Sequence, residues 1–278
     1  MSLREQILDK LEDPEAVVRA CKEYHVPADI FIFSEHLPNL SLKYHYHMEW
    51  GNIAALPIST YEEWYSKQIH RNTRNKIKKS TKCGVHVTVR NFDKDLASGI
   101  SGIFNETPVR RGRKYPYFGK TIEEIEQEWS SDLERSVFLV ASFKGEVVGF
   151  IKLVYCLDCA RTSGTVAKIS HRDKAVMNAL FARAVEFCAD RKIEYLVYGR
   201  FTYGQEHESG LSEFKSHSGF LKISIPEYYV PLTIWGKIAL MLHLHHGLAH
   251  LLPNRAVRVL KRIRTLYYQR MLHKLGRS

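Results

Sequence analysis

Two apolar runs separated by a Lys144-Gly145 turn constrain the fold of this 278-residue chain more than any other feature. The first run covers residues 137–143 and the second covers residues 147–155. Both have the length and the β-branched and aromatic content of strands. A two-residue connection that contains glycine predicts a β-hairpin. A third strand-like run at residues 161–169 would extend this hairpin into a meander.

A long helix is expected after the meander. Asp173 can cap its first turn, and the apolar spacing continues to about Arg191. A short strand at residues 195–198, a short helix at 211–218 and an extended segment at 220–229 follow. This order predicts an α/β fold of the α+β kind, with a mixed, mostly antiparallel sheet flanked by helices. It argues against a doubly wound parallel sheet.

Positive charge is concentrated at the C-terminal end of the chain. The protein has 41 lysines and arginines against 30 acidic residues, a formal net charge of +11. Residues 228–278 contain nine basic side chains and no acidic one. We therefore divide the chain into an N-terminal helical and extended segment at 1–41, a main domain at 42–232 and a basic helical tail at 233–278.

The tail is expected to form two helices separated by Pro253. The first, residues 234–252, has a borderline length for crossing a membrane, and four histidines within it argue against spanning. The second combines an apolar stripe with basic neighbours, a pattern typical of a helix lying on an anionic membrane. Its candidate anion-binding residues are Arg255, Arg258, Lys261, Arg262 and Arg264. In the alternative interpretation the stripe packs on the protein itself and the charges are solvated.

Cysteine usage and the N-terminus indicate the cellular compartment. The five cysteines are an odd number and form no disulfide framework, so we expect reduced thiols. The first residues lack the apolar core of a secretion signal. The sequence predicts a cytoplasmic protein, with peripheral attachment to the inner face of the membrane as an option for the basic tail.

The histidines and the Cys156-x-x-Cys159 pair do not lead us to predict a metal. His45 and His47 share one face of an expected strand, and His246 and His250 share one face of an expected helix. Neither histidine pair has a nearby carboxylate pattern, and no second cysteine pair follows the first. Structural roles are the favoured interpretation, and no metal ligand is assigned.

Three segments occur in an order that resembles a known family. Residues 71–80 read R-N-T-R-N-K-I-K-K-S, the central hairpin follows, and residues 214–220 read F-K-S-H-S-G-F. Together they resemble the GNAT-superfamily acyltransferases of the Fem-like branch, which contains peptidoglycan bridge aminoacyltransferases and BioF2-like acetyltransferases. The resemblance covers about residues 42–232. It implies a bacterial enzyme in which splayed strands form a groove for an acyl donor.

The resemblance also implies site residues. It points to Lys215 as a catalytic cation near the reacting carbonyl. Glu106, before a basic loop, is a candidate base or amine-orienting group. Ordinary GNAT enzymes hold the CoA pyrophosphate on a glycine-containing loop, whereas residues 168–175 here contain no glycine. A helix N-terminus still attracts anions. The candidate substrate-binding and cofactor-binding residues are Lys168, Ser170, His171, Arg172, Lys174, Asn178, Tyr198, Arg200 and Tyr203.

These observations predict an N-acyltransferase of the acetyl or aminoacyl type. Its acceptor would be an amine on an anionic substrate, either a small molecule or a lipid-linked precursor, from cell-envelope or polysaccharide metabolism. The expected donor is acyl-CoA or aminoacyl-tRNA, and the missing glycines favour aminoacyl-tRNA or another activated acyl group over CoA. The alternative is a non-catalytic GNAT-fold module that docks on a membrane or on RNA through its basic tail.

Overall fold

The structure, a computed structural model, describes residues 2–4, 13–110, 112–156, 158–203 and 210–246. The strands are β1 (Ser2–Arg4), β2 (Ile30–Ser34), β3 (His47–Pro57), β4 (Val85–Arg90), β5 (Val109–Arg110), β6 (Arg113–Lys114), β7 (Ser136–Phe143), β8 (Glu146–Tyr155), β9 (Cys159–Ala167), β10 (Tyr195–Val197) and β11 (Leu221–Pro231). The helices are α1 (Pro14–Glu23), α2 (Tyr61–Glu63), α3 (Arg71–Lys82), α4 (Lys94–Phe104), α5 (Ile122–Trp129), α6 (Val176–Asp190), α7 (Gly210–His217) and α8 (Ile234–Met241).

Nine strands form one sheet in the order β1-β2-β11-β3-β10-β9-β8-β7-β4. Six of its eight neighbouring pairs are antiparallel, and β1–β2 and β10–β9 are parallel. The predicted hairpin is present as β7 and β8, joined at Lys144 and Gly145, which both have positive φ. This arrangement confirms the predicted mixed, mostly antiparallel sheet flanked by helices.

Helices cover both faces of the central strands. On one face α6 packs against β7, β8 and α3, and Leu180, Ala184 and Phe187 are almost completely buried. On the other face α4 and α5 enclose a second apolar cluster that includes Phe104 and Trp129. Two buried layers therefore hold the central strands rigidly.

The start of α6 differs from the prediction. Asp173 does not cap it, because residues Ile169–Lys174 form a separate 3₁₀ turn and α6 begins only after Ala175, which has a φ of 53°. The Asp173 carboxylate is instead paired with the amine of Lys174 at 3.3 Å. The left-handed residue changes the chain direction, so the 3₁₀ turn presents its own amide groups at the end of β9.

Segments on both sides of the predicted main domain also contact the sheet. The strand β2, which belongs to the predicted N-terminal segment, pairs with β11, and α8 packs Leu240 against Ile30, Ile32 and Tyr229. The first tail helix is shorter than predicted, since α8 ends at Met241 and His243 then adopts a φ of 53°. Among the described residues, no helix combines the length and the apolar character that a membrane crossing requires.

Candidate functional site

The neighbouring parallel strands β9 and β10, in the middle of the sheet, separate toward one end. They pair only over Cys159–Arg161 and Tyr195–Val197. The strand β9 continues along β8 to Ala167, whereas the chain after β10 follows β3, where the Tyr198 amide donates to the Ala54 carbonyl at 2.8 Å. The strands therefore diverge toward their carboxyl ends. Ligands commonly bind at such ends in open α/β sheets.

Lys215 lies buried beside the end of β10. Its side chain is 0% exposed, and its Nζ donates to the Arg200 carbonyl at 2.5 Å. The same Nζ lies 4.6 Å from the ring centroid of Tyr198 and 5.2 Å from that of Tyr203. Tyr203 is about half exposed, so one side of this group of residues reaches the protein surface. Three predicted site residues and Lys215 thus meet at one place.

Burial lowers the pKa of Lys215 from 10.5 to about 8. The physical cause is desolvation, which disfavours the charged amine. Among the described residues, no carboxylate lies within ion-pair distance of Nζ to offset this effect. The two aromatic faces of Tyr198 and Tyr203 stabilise the positive charge of this buried ammonium group.

Neighbouring segments hold the helix that carries Lys215. The carbonyl of His217, at the end of α7, accepts from the His70 amide at 3.0 Å and from the Thr73 hydroxyl at 2.9 Å. The buried Trp64 indole donates to the Ser218 carbonyl at 3.0 Å. Since His70 caps α3, the basic helix that contributed to the family resemblance supports the position of α7.

Arg200 forms a closely bonded pair with Glu227, a residue that sequence reasoning did not select. One guanidinium nitrogen lies 2.5 and 2.7 Å from the two carboxylate oxygens, and the Tyr229 hydroxyl donates to the same carboxylate at 3.2 Å. Gly51 makes room for it, because a Cβ there would lie 2.6 Å from the Glu227 carboxylate. The available signal was a single acidic residue inside the apolar strand β11.

Glu106 lies at the end of β9 and binds the 3₁₀ turn. Its carboxylate accepts from the amides of Ile169 at 2.7 Å and Ser170 at 2.8 Å, and from the Ser170 hydroxyl at 2.7 Å. Arg110 adds a salt bridge at 3.1 Å. Backbone amides at the start of a helical turn are a ready anion site. Here the protein's own carboxylate occupies it.

Two opposing influences act on the Glu106 carboxyl. Burial raises its pKa, but the hydrogen bonds from Ile169 and Ser170 and the charge of Arg110 outweigh burial, so that the pKa is lowered from 4.5. Glu106 is therefore held as a carboxylate whose proton affinity is weak. This environment suits a residue that orders the turn better than one that accepts a proton.

The remaining candidates near this turn differ in their contacts and in their exposure to solvent. The amine of Lys168 pairs with Glu146, and that of Lys174 pairs with Asp173, so both cations have acidic partners. The His171 ring contacts the Phe143 ring at 5.4 Å, and Arg172 is exposed to solvent. These side chains surround the end of β9.

Asn178 is buried in the first turn of α6. One turn later, Phe181 lies 4.7 Å from the Tyr198 ring and 5.4 Å from that of Phe214. The start of α6 therefore connects the two strand ends through packed side chains. Outside the described residues lie the predicted anion-binding positions Arg255, Arg258, Lys261, Arg262 and Arg264.

Solved structures share this architecture. No protein-family model matches the sequence, and neither does any curated protein. The C-terminal domain (DUF2156) of a putative lysylphosphatidylglycerol synthetase from Agrobacterium fabrum is 14% identical, with a TM-score of 0.57 over 84% of this chain and 78% of that one. FemX is 11% identical, with a TM-score of 0.52 over 76% and 75%. A tandem GNAT protein from the clavulanic acid biosynthesis pathway is 10% identical, with a TM-score of 0.50 over 84% and 75%.

Proposed function

We propose that this chain, whose GNAT-like fold is similar to that of FemX and of a tandem GNAT protein, transfers an acyl group, acetyl or aminoacyl, to an amine of an anionic substrate. The observation that carries this proposal is Lys215, a buried amine at the end of β10 whose pKa is lowered to about 8. A cation buried at the point where two strands diverge is suited to stabilise negative charge there.

Acyl transfer needs a group that stabilises negative charge. When the acceptor amine attacks the acyl carbonyl, negative charge develops on the carbonyl oxygen, and a positioned cation or N–H donor stabilises it. Lys215 Nζ would supply this stabilisation after Tyr203 rotates away from it. The attack itself forms the new C–N bond. Collapse of the intermediate then breaks the bond to the donor's leaving group, which takes up the proton that the attacking amine loses. Glu106 would keep the neighbouring turn in place.

Glu106 supports aminoacyl-tRNA as the donor in preference to acyl-CoA. Its carboxylate accepts from the amides of Ile169 and Ser170, at the place where the GNAT resemblance implies a CoA pyrophosphate. A second anion at these amides would meet electrostatic repulsion from Glu106. A donor that keeps its phosphates elsewhere avoids this conflict, and the basic surface of α3 offers Lys78, Lys79 and Lys82 for such contacts.

The outer face of α8 supports an acceptor at an anionic membrane. Ile234, Trp235 and Met241 are each more than 70% exposed, although each is a large apolar residue. An apolar helix face beside basic residues is typical of an interfacial helix, and Lys237 and the predicted tail supply the basic charge. One similar structure belongs to a putative lysylphosphatidylglycerol synthetase, and the product in that name is an anionic lipid that carries an aminoacyl group. We propose a peripheral location on the inner membrane face.

Turnover with matched lysine variants tests the proposed site. Full-length protein would be supplied with labelled aminoacyl-tRNA or acetyl-CoA, and with amine-bearing lipid-linked or nucleotide-linked acceptors. Lys215→Met should lower kcat/KM at least about 100-fold, the size of effect found when an oxyanion donor is removed. Lys222→Met is the control, because Lys222 is exposed on β11. Equal turnover by both variants would remove Lys215 from the site.

A binding module is the second candidate, and the complete burial of Lys215 favours it, since the amine does not reach solvent. In this case no donor would be turned over, and the chain would bind anionic vesicles or RNA. Co-sedimentation with phosphatidylglycerol vesicles measures the first possibility. Trp235→Ser should weaken vesicle binding about threefold to tenfold through lost apolar burial. Trp50→Ser, an exposed tryptophan on β3, serves as the control.

RNA binding has a different signature. Affinity for RNA should fall steeply with salt through counterion release, with little dependence on Trp235. Donor-dependent turnover by wild-type protein would reject the non-catalytic module.

A further inference from the structure

Two histidines and a glutamate meet at the start of β3, although one of the histidines is distant in the sequence. The Glu49 Oε1 atom lies 3.1 Å from His47 Nε2 and 2.8 Å from His245 Nε2. One ligand atom from each of the three residues lies within 4.8 Å of the other two. Residue 245 is 196 positions away from residue 49, so tertiary structure creates this group. Sequence spacing had instead suggested His45 and His47 as a pair.

We propose that His47, Glu49 and His245 bind a zinc(II) ion. Two imidazole nitrogens and one carboxylate oxygen are a donor set that zinc prefers, whereas magnesium and calcium prefer oxygen alone. Zinc bonds of about 2.0–2.2 Å in tetrahedral geometry place the ligand atoms about 3.3–3.6 Å apart. The Glu49–histidine distances of 3.1 and 2.8 Å are slightly shorter than this, and no two of the three ligand atoms are more than 4.8 Å apart, so side-chain rotations would bring the three atoms to this spacing. Three protein ligands leave a fourth position for water.

The surroundings suit a held ion that solvent can reach. The His245 side chain is 1% exposed, Glu49 is 24% exposed and His47 is 42% exposed. The Tyr229 ring packs against both histidines, with its centroid 4.9 Å from that of His245 and 6.0 Å from that of His47. One ligand is therefore fixed by packing, while His47 leaves an open side through which the ion can enter.

The site would fasten the C-terminal segment to β3. After α8 the chain reverses at His243, and the 3₁₀ turn at Leu244–His246 directs His245 toward Glu49. In the sequence beyond His246 there are eight arginines and lysines. A bound ion at this point would set where the basic tail begins relative to the sheet. This inference does not rest on the proposed acyltransferase activity.

Zinc titration of chelator-treated, full-length protein tests the site by calorimetry. Wild type should bind one zinc ion at this site, and His47→Ala, Glu49→Gln and His245→Ala should each raise its Kd at least about tenfold. His45→Ala is the matched control and should leave Kd unchanged, since His45 is exposed and lies outside the group. A Kd that is insensitive to His47, Glu49 and His245 would overturn the proposal.

Two further measurements separate this site from others. Cobalt(II) bound to nitrogen and oxygen ligands should show no thiolate charge-transfer band, whereas a strong band would place the metal on cysteines and overturn the proposal. Zinc should slow amide hydrogen exchange at residues 242–246 in wild type but not in His47→Ala. His47 is substantially exposed, so this variant is expected to fold. Equal protection in both proteins would also reject the site.

Discussion

The carboxyl ends of β9 and β10 differ in how the charged side chains beside them are paired. At the end of β9, the Glu106 carboxylate receives bonds from Ile169, Ser170 and Arg110. At the end of β10, Lys215 is buried with only a carbonyl and aromatic rings around its amine, among the residues that the structure describes. The first end is electrostatically complete, whereas the second carries a buried cation that has no acidic partner among the residues that the structure describes. We therefore expect an anionic substrate to bind at the end of β10 once Tyr203 has rotated away from Lys215.

Breaking the Arg200–Glu227 pair beside Lys215 should give the largest effect, because the Glu227 carboxylate is almost completely buried. Arg200→Ala leaves the Glu227 carboxylate buried without its guanidinium, which should cost about 3 to 4 kcal/mol of unfolding free energy. Glu227→Gln keeps the shape and should cost less, about 1 kcal/mol. Urea unfolding at neutral pH measures both. Arg172→Ala, in an exposed position, should stay within about 0.5 kcal/mol of wild type.

A small loss in Arg200→Ala, similar to that in Arg172→Ala, would contradict the comparison. It would mean that water hydrates the Glu227 carboxylate and that the region around the end of β10 is more open than the distances indicate. The charge available to a ligand would then include Arg200 as well as Lys215.

The pH dependence of stability tests the uncompensated charge of Lys215. Its pKa is about 8 in the folded protein and 10.5 without burial, so the unfolded chain binds more protons between these values. This contribution to stability is therefore present above pH 10.5 and is lost as pH falls through about 8. The difference between these two pKa values corresponds to about 3 kcal/mol. Chemical unfolding at several pH values should show this rise in wild type but not in Lys215→Met.

Other buried groups make stability fall as pH rises. The useful quantity is therefore the difference in unfolding free energy between wild type and Lys215→Met at each pH. Burial raises the pKa of the Cys159 and Cys188 thiols to about 12, and stability from their neutral forms is lost as pH rises toward that value. These losses occur equally in wild type and in Lys215→Met and cancel in the difference. A difference that stays flat from pH 8 to 10.5 would show that Lys215 is already paired or solvated.

Local patterns in the sequence predicted the central strands and the short helix that carries Lys215. The β7–β8 hairpin follows from two apolar runs and a glycine turn, and α7 ends at His217, close to the predicted end at residue 218, because Gly219 adopts a φ of 86°. Such features depend on neighbouring residues. The F-K-S-H-S-G-F segment also led to Lys215, although its burial and its nearby tyrosines depend on where α7 packs.

Long-range contacts were not predictable in the same way. Glu227 needs the gap over Gly51 on β3, and His245 reaches Glu49 only because α8 packs on β2 and β11. Asp173 had the residue type of a helix cap, but the left-handed Ala175 moved the helix start beyond it. In each case the decisive partner lies in another element or in an unusual backbone conformation.

Removing the Glu106 charge should give the smallest effect and the most direct check on the completed end of β9. Glu106→Gln retains an oxygen acceptor but loses the ionic component, which should cost about 1 kcal/mol at neutral pH. Because the pKa of Glu106 is lowered from 4.5, its contribution is present above that value and is lost as pH falls through the folded-state pKa. Unfolding at pH 7 and pH 3 should therefore separate Glu106→Gln from wild type at the higher pH alone, with the exposed Glu134→Gln as control.

In Glu106→Ala the amides of Ile169 and Ser170 should become available, and inorganic phosphate should raise Tm in this variant but not in wild type. Stabilisation of wild type by the same phosphate concentration would mean that the end of β9 still accepts an anion, and CoA would again be a suitable donor.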